Sequence, residues 1–141
     1  MKKTICVIDG QGGGIGATLI KSIKEFFGES AEVIALGTNA IAAAQMLKAG
    51  ADKGASGEAP ICRMAPAVDC IVGPIAITWP NAMLGEVTVK MAAAVMDSPA
   101  LKILLPLSQE RVEIVGVVKE PLPHLVQAAV KNQIQKVIQR E

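Results

Sequence analysis

The stretch Val7-Ile8-Asp9-Gly10-Gln11-Gly12-Gly13-Gly14-Ile15-Gly16-Ala17-Thr18 joins a short β-branched apolar run to a segment with helical periodicity. The run Thr4 to Ile8 is typical of a buried strand, and apolar residues at helical spacing continue from Ile15 to Phe27. Glycines between a strand and a helix let a phosphate approach the backbone and the free N–H groups of the helix start. The sequence therefore predicts a phosphate-binding loop. Its candidate residues are Asp9, Gly10, Gln11, Gly12, Gly13, Gly14, Ile15 and Gly16.

The glycine spacing fits more than one kind of loop. Gly12-x-Gly14-x-x-Ala17 matches the G-x-G-x-x-G/A pattern of dinucleotide-binding domains. Gly10-x-x-x-Gly14-Ile15-Gly16 resembles the loop of short-chain dehydrogenases. A P-loop is disfavoured, because Ala17 stands where the lysine that binds the β- and γ-phosphates is required. The alternative without a ligand is a tight strand-to-helix turn in which glycines allow close packing.

Two features leave the identity of the ligand open. Asp9 would repel a pyrophosphate unless it caps N–H groups of the loop or holds Mg²⁺, and we expect it to cap the loop. A dinucleotide site also requires an acid at the end of the second strand, where this chain has Gly37-Thr38-Asn39. We expect Thr38 and Asn39 to hydrogen-bond a ribose or a 2′-phosphate. The choice between NAD and NADP therefore stays open.

Strand-like and helix-like segments alternate along the rest of the chain. Continuous apolar strands that alternate with helices predict an α/β domain with a mostly parallel sheet covered on both faces. We expect a single Rossmann-like three-layer αβα sandwich over residues 1–141. The predicted strands are 4–8, 32–36, 53–56, 69–72, 101–105 and 112–118, and the predicted helices are 15–27, 40–49, 81–96 and 121–139.

Other candidates are secondary. The loop after the fourth strand of a nucleotide-binding sheet faces the ligand, so Gly73 and Pro74 are candidate site residues. Glu58 lies in a second glycine-rich loop, where a solvated acid is favoured over a ribose ligand or general base. His124 is expected to be structural. Cys62 is the one thiol that merits a test of reactivity, whereas Cys6 and Cys70 are expected to be buried.

Composition excludes several classes of protein. The chain has 141 residues, of which 51% are hydrophobic and 2% aromatic, and its formal charge is +1. A nucleic-acid-binding protein would show a basic excess and stacking aromatics. No apolar run is long enough for a signal peptide or a membrane helix. One histidine and three cysteines without CxxC spacing disfavour a metal site or a disulfide framework. We expect a cytoplasmic protein that binds neither nucleic acid nor membrane.

The predicted helix 81–96 indicates an assembly. Its charged residues Glu86 and Lys90 are four apart, a spacing that favours a surface pair. Apolar residues cover most of the remaining circumference, so the helix should be buried on more than one side. In so small a domain this predicts a subunit interface, most simply in a homodimer.

Groups suited to catalysis are scarce. The chain has no Tyr, which short-chain dehydrogenases use with a Lys, and a single His. Whether the protein is an enzyme is therefore left open. The leading expectation is a protein that binds a nucleotide or dinucleotide, with NAD or NADP as a cofactor. The alternative is a non-enzymatic sensor or partner subunit that binds a phosphorylated metabolite.

Nearly the whole chain resembles an uncharacterised family of small bacterial proteins. The resemblance implies a Rossmann-like domain with a glycine-rich loop, and it implies no reaction and no catalytic residues. The stretches that carry it are Val7–Gly16, Ala35–Asn39, Gly50–Asp52, Gly57-Glu58, Ile71–Ile75, Leu84–Glu86 and Lys102–Pro106.

Overall fold

Five parallel strands form one sheet. The computed structural model describes residues 2–140. Every neighbouring pair of strands runs parallel, in the order β3-β2-β1-β4-β5. The predicted Rossmann-like α/β fold is therefore confirmed. The strands are β1 (Lys3–Asp9), β2 (Ala31–Gly37), β3 (Lys53–Ser56), β4 (Cys70–Pro74) and β5 (Leu101–Leu105).

Helices cover both faces of the sheet and complete three layers. The helices are α1 (Gly14–Phe27), α2 (Ala40–Lys48), α3 (Glu58–Met64), α4 (Val89–Asp97), α5 (Leu122–Ala128) and α6 (Gln135–Gln139), and a π-helical turn (Ala129–Ile134) joins the last two. One apolar cluster joins one face to α1, α2 and the C-terminal helices, and a second joins the other face to α3 and α4.

The central strand shows why its sequence is continuously apolar. Ile5 and Val7 point into the cluster beneath α1, while Cys6 and Ile8 point into the opposite cluster. A strand that is covered on both faces has no solvated side, so polar residues do not alternate with apolar ones along it. Cys6 lies beside the neighbouring strand that carries Cys70, and burial raises the pKa of both thiols. Their predicted role as small buried residues is confirmed.

The predicted helix 81–96 is wrong over its first half. α4 begins only at Val89, because the Thr88 hydroxyl caps it by accepting a hydrogen bond from the Met91 N–H at 3.1 Å. Residues 81–87 form an irregular loop in which Asn81, Met83 and Leu84 all have positive φ. The expected Glu86–Lys90 surface pair is wrong as well, since the Glu86 carboxylate is bound to other residues.

The loop changes the argument for a homodimer. Met83, Val87, Met91 and Val95 are buried in the protein's own second cluster, so their apolar character is accounted for within one chain. Three apolar side chains of the region stay exposed: Leu84 (98%), Val89 (61%) and Met96 (54%). Assembly through this region stays a prediction.

Two further segments differ from the prediction. Residues 112–118 were expected to be a strand but form no regular structure, and the valines and isoleucine among them are exposed. Strand propensity reflects the fit of a side chain to a half-buried sheet, and this segment lies against none. Conversely, α3 begins directly after Gly57, and Pro60 lies in its first turn, where proline is tolerated. The sequence predicts no helix here, because the region is rich in Gly, Ala and Pro.

None of the helices within residues 2–140 has the length and apolar character needed to cross a membrane.

Candidate functional site

The glycine-rich loop lies at the carboxyl end of β1 and leads directly into α1. Asp9, the last residue of the strand, is only 3% exposed. Its Oδ1 accepts a hydrogen bond from the Gly10 N–H at 2.8 Å, and its Oδ2 accepts one from the Gly16 N–H at 2.7 Å. The expectation that Asp9 caps the loop is confirmed. The carboxylate thus fixes both ends of the turn, and its oxygens point into the loop.

Burial sets the protonation behaviour of Asp9. Burial raises the pKa of this carboxyl, and the hydrogen bonds from Gly16 and Gly10 lower it, with burial prevailing. Glu86, which lies nearby, raises the pKa further by charge repulsion. Asp9 is therefore easier to protonate than an ordinary aspartate.

Three glycines of the loop are required by the packing of the chain itself. Gly13 has φ +74°, and a Cβ there would lie 2.9 Å from the Ala42 backbone. A Cβ on Gly16 would lie 2.9 Å from the Asp9 Cβ and also collide with Met46. On Gly10, a Cβ would come within 2.5 Å of the Met83 sulfur. The reading of these glycines as packing devices is therefore correct for Gly10, Gly13 and Gly16.

Gly12 and Gly14 are different. A Cβ built on either residue meets no atom within 4 Å, and neither has a positive φ. Both are exposed. Gly14 opens α1, so its N–H has no acceptor within the helix. Within residues 2–140, the Gly12 N–H likewise has no protein acceptor. The chain's own structure thus leaves open space and unpaired N–H groups at these two positions.

A cavity of about 450 Å³ adjoins this open face of the loop. It lies over the ends of β1 and β4, and residues after β5 form the opposite wall. Its volume is in the range of small-molecule sites. Its lining residues are Asp9, Gly10, Gln11, Gly12, Gly13, Gly14, Ile15, Pro74, Ala76, Met83, Leu84, Leu107, Ser108, Gln109 and Glu110.

The sequence missed the wall formed by residues 107–110. Glu110 accepts a hydrogen bond from the Met83 N–H at 2.8 Å and so ties this wall to loop 81–87. The side chains that line the cavity include no lysine and no arginine. An anion in this cavity would therefore be bound by backbone N–H groups, as in Rossmann domains.

The two candidates at the end of β4, Gly73 and Pro74, have different roles. Pro74 lines the cavity, as expected for the loop after the fourth strand. Gly73 does not line it: a Cβ there would collide with the carbonyl oxygen of Ile8 in the neighbouring strand. This glycine is therefore required by the sheet.

Thr38 and Asn39 lie on the other side of the loop, at the end of β2, and do not line the cavity. The Thr38 hydroxyl and the Asn39 amide both donate to the Oε1 atom of Glu86, at 2.7 and 2.8 Å. The Asn39 Oδ1 caps α2 by accepting from the Ala42 N–H. Their polar atoms are therefore already engaged by the chain.

Glu86 is the residue of this region that sequence reasoning missed. Its Oε1 also accepts a hydrogen bond from the Gln11 N–H of the glycine loop, at 2.9 Å. It lies more than 45 positions from Thr38 and Asn39 in the sequence. No local pattern joins residues so far apart, and the helix predicted for 81–96 placed Glu86 on a surface face instead.

The remaining candidates lie away from the cavity. The Glu58 carboxylate accepts a hydrogen bond from the Thr88 hydroxyl at 2.6 Å, which links α3 to the start of α4. The Cys62 thiol is partly buried and faces the Lys90 carbonyl at 3.8 Å. His124 is exposed beside Glu120. Over the described part of the chain, no three His, Cys, Asp or Glu residues are placed to hold a metal ion together.

The comparisons with known proteins place this chain in a family. A family model described as Domain of unknown function (DUF3842) matches residues 4–139, and the protein therefore belongs to that family. A comparison with curated protein sequences gives no match.

Proposed function

We propose that this protein binds a nucleotide or dinucleotide of the NAD(P) type through the loop Gly10–Gly16. The proposal rests on Gly12 and Gly14. The packing of the chain does not require glycine at either position, and the exposed backbone there has open space and unpaired N–H groups. Phosphate groups bind such backbone at the start of a helix. We also propose that the glycine-rich loop is shared by the family and that the family is bacterial.

The shape of the region supports a ligand that crosses the loop. The cavity lies on the β4 side, over Pro74 and Ala76, and the polar cluster of Thr38, Asn39 and Glu86 lies on the β2 side. A dinucleotide on a doubly wound sheet spans the crevice where the strand order reverses, with its pyrophosphate at the helix start. In this protein that crevice lies between β1 and β4.

The wall formed by residues 107–110 supports the second candidate function. Ser108 and Glu110 are the hydroxyl and carboxyl side chains in this wall, and Glu110 already holds the Met83 N–H. A site whose carboxylates, Asp9 and Glu110, hold N–H groups of the chain itself is suited to a sensor or partner subunit that binds a phosphorylated metabolite without converting it. Turnover of the bound ligand separates this candidate from an enzyme.

Calorimetry and thermal unfolding with NADH, NADPH, ATP, FAD and coenzyme A test the proposal. A specific ligand at 100 times its Kd should raise the free energy of unfolding by about 2.7 kcal/mol. Gly12→Val and Gly14→Val should abolish that rise, because each side chain fills the space that the phosphate needs. The same variants should fold normally, since neither position is crowded.

Ala93→Val is the matched control, because it adds comparable bulk at an exposed position of α4, away from the loop. It should retain the full rise in stability. If no phosphate-bearing ligand stabilises the protein, or if Gly14→Val binds as well as the wild type, the proposal is wrong.

A further inference from the structure

The Glu86 carboxylate lies where the dinucleotide pattern requires an acid. That pattern places an Asp or Glu at the end of the second strand, against the ribose hydroxyls. Here the strand ends in Gly37, and the next two side chains, Thr38 and Asn39, bind the carboxylate of Glu86. We propose that Glu86 is the ribose-binding acid of this site, and that the ligand is a nucleotide with an unsubstituted 2′,3′-diol. The inference rests on the proposed function and specifies its ligand.

The carboxylate is held so that one oxygen stays available. Oε1 accepts three hydrogen bonds, from the Thr38 hydroxyl, the Asn39 amide and the Gln11 N–H. Within the part of the chain that the structure describes, Oε2 has no protein donor. A ribose diol supplies two hydroxyl donors, and a carboxylate accepts them readily, because hydrogen bonds to an ionised acceptor are the stronger kind.

The first glycine of the loop makes room for this acid. A Cβ on Gly10 would lie 3.1 Å from the Glu86 Oε1. The Asn39 amide also donates to the Gln11 carbonyl at 3.0 Å, so the end of β2, the loop and Glu86 form one network. The acid is thus fixed beside the backbone to which we assign the phosphate, because its partner Gln11 directly precedes Gly12.

The backbone that carries Glu86 is strained. Asn81, Met83 and Leu84 have φ values of +70°, +58° and +57°, which are unfavourable for residues other than glycine. Such conformations persist only where the surroundings impose them. Here Glu110 holds the Met83 N–H, and the Val87 carbonyl accepts the Asn81 N–H at 2.7 Å. The strained turn directs Glu86 towards β2 and away from the surface that helix 81–96 would have given it.

Charge then selects between two classes of nucleotide. Partial burial alone would raise the pKa of Glu86, but the donors Gln11, Thr38 and Asn39 lower it below its ordinary value. Glu86 is therefore ionised at neutral pH. A 2′-phosphate at this position would meet a like charge, and Thr38 and Asn39 have already given their donors to Glu86. The site should accept NADH and reject NADPH.

Isothermal titration of NADH and NADPH tests this assignment on the wild type, Glu86→Gln and Glu25→Gln. Glutamine retains an oxygen for Thr38, Asn39 and Gln11 but loses the charge. The wild type should prefer NADH by about tenfold or more, and Glu86→Gln should weaken NADH binding about tenfold and reduce the preference. Glu25→Gln removes the same charge from an exposed position on α1 and should match the wild type.

The outcomes separate this inference from the proposed function. If the wild type binds none of NADH, NADPH, ATP, FAD and coenzyme A, both are wrong. If it binds NADH and NADPH equally, or if Glu86→Gln changes both affinities by the same factor, the ribose assignment is wrong and the binding loop stands. A gain of affinity for both ligands in Glu86→Gln would instead identify Glu86 as a plug over the loop and would overturn the assignment.

A second variant keeps the test decisive if Glu86→Gln does not fold. Glu86→Asp retains the charge but shortens the side chain by one methylene group. It should weaken NADH binding while NADPH remains rejected. Equal binding of the two cofactors by Glu86→Asp would contradict the assignment.

Discussion

The two walls of the cavity are built in different ways. The glycine loop on one side is tied at both ends by Asp9, and three of its glycines are packed against the rest of the chain. The wall on the other side, residues 107–110, belongs to a segment after β5 that has no regular structure from residue 106 to 121. Val115, further along this segment, is fully exposed. A fixed wall suits a group common to many ligands, such as a phosphate. A wall with few constraints suits the part of a ligand that differs from one to another.

Gly16→Val should give the largest effect, because it disrupts the fixed wall. The new side chain would meet the Asp9 Cβ and Met46, both of them buried. We expect the free energy of unfolding to fall by about 3 kcal/mol or more, measured by urea denaturation. Gly14→Val, two positions earlier in the same helix, is the control and should lose less than about 1 kcal/mol, because its position is open. Equal losses in the two variants would show that the loop glycines do not divide into two groups.

Asp9→Ala should rank second. It removes both acceptors of the loop and leaves the Gly10 and Gly16 N–H groups unpaired, so we expect a loss of about 2 kcal/mol in the same assay. If Asp9→Ala has the same free energy of unfolding as the wild type, the loop holds its shape without the carboxylate.

Asp9→Asn removes the titration of the same residue. It also replaces one of the two acceptors by an NH2 group, a loss that does not change with pH. Burial raises the folded-state pKa of Asp9 above its unfolded value. The stability that this group contributes is therefore fully present below the unfolded pKa and is lost as pH rises through the folded pKa. Asparagine does not titrate, so Asp9→Asn should gain stability relative to the wild type as pH rises from 3 to 7. A difference that stays constant with pH would contradict a raised pKa.

Local patterns predicted the fixed wall well. The run of β1, the glycines and the spacing from Ile15 to Phe27 all lie within 25 residues, and each specifies the same strand-turn-helix unit. Even the short strand β3 was predicted at Lys53–Ser56, as observed.

Distant contacts account for what the sequence did not reveal. Glu86 reaches Thr38 across 48 positions, and its path depends on three residues with positive φ that no propensity predicts. The strand expected at 112–118 has the right composition but pairs with no strand among the described residues 2–140, and composition alone does not supply a partner. Pairing with one of the two edge strands, β3 or β5, would have been needed, and neither has an outer neighbour within residues 2–140.

Val115→Ser should give the smallest effect and tests the irregular segment that continues from the wall formed by residues 107–110. The Val115 side chain is fully exposed, so it contributes no buried area that serine would forfeit. We expect the free energy of unfolding to change by less than about 0.5 kcal/mol. Val72→Ser, in the buried centre of β4, is the control and should lose about 2 kcal/mol or more, because it removes apolar burial and introduces a hydroxyl. A loss at Val115 comparable with that at Val72 would show that residues 112–118 are packed in solution, and the contrast between the glycine loop and the segment after β5 would then disappear.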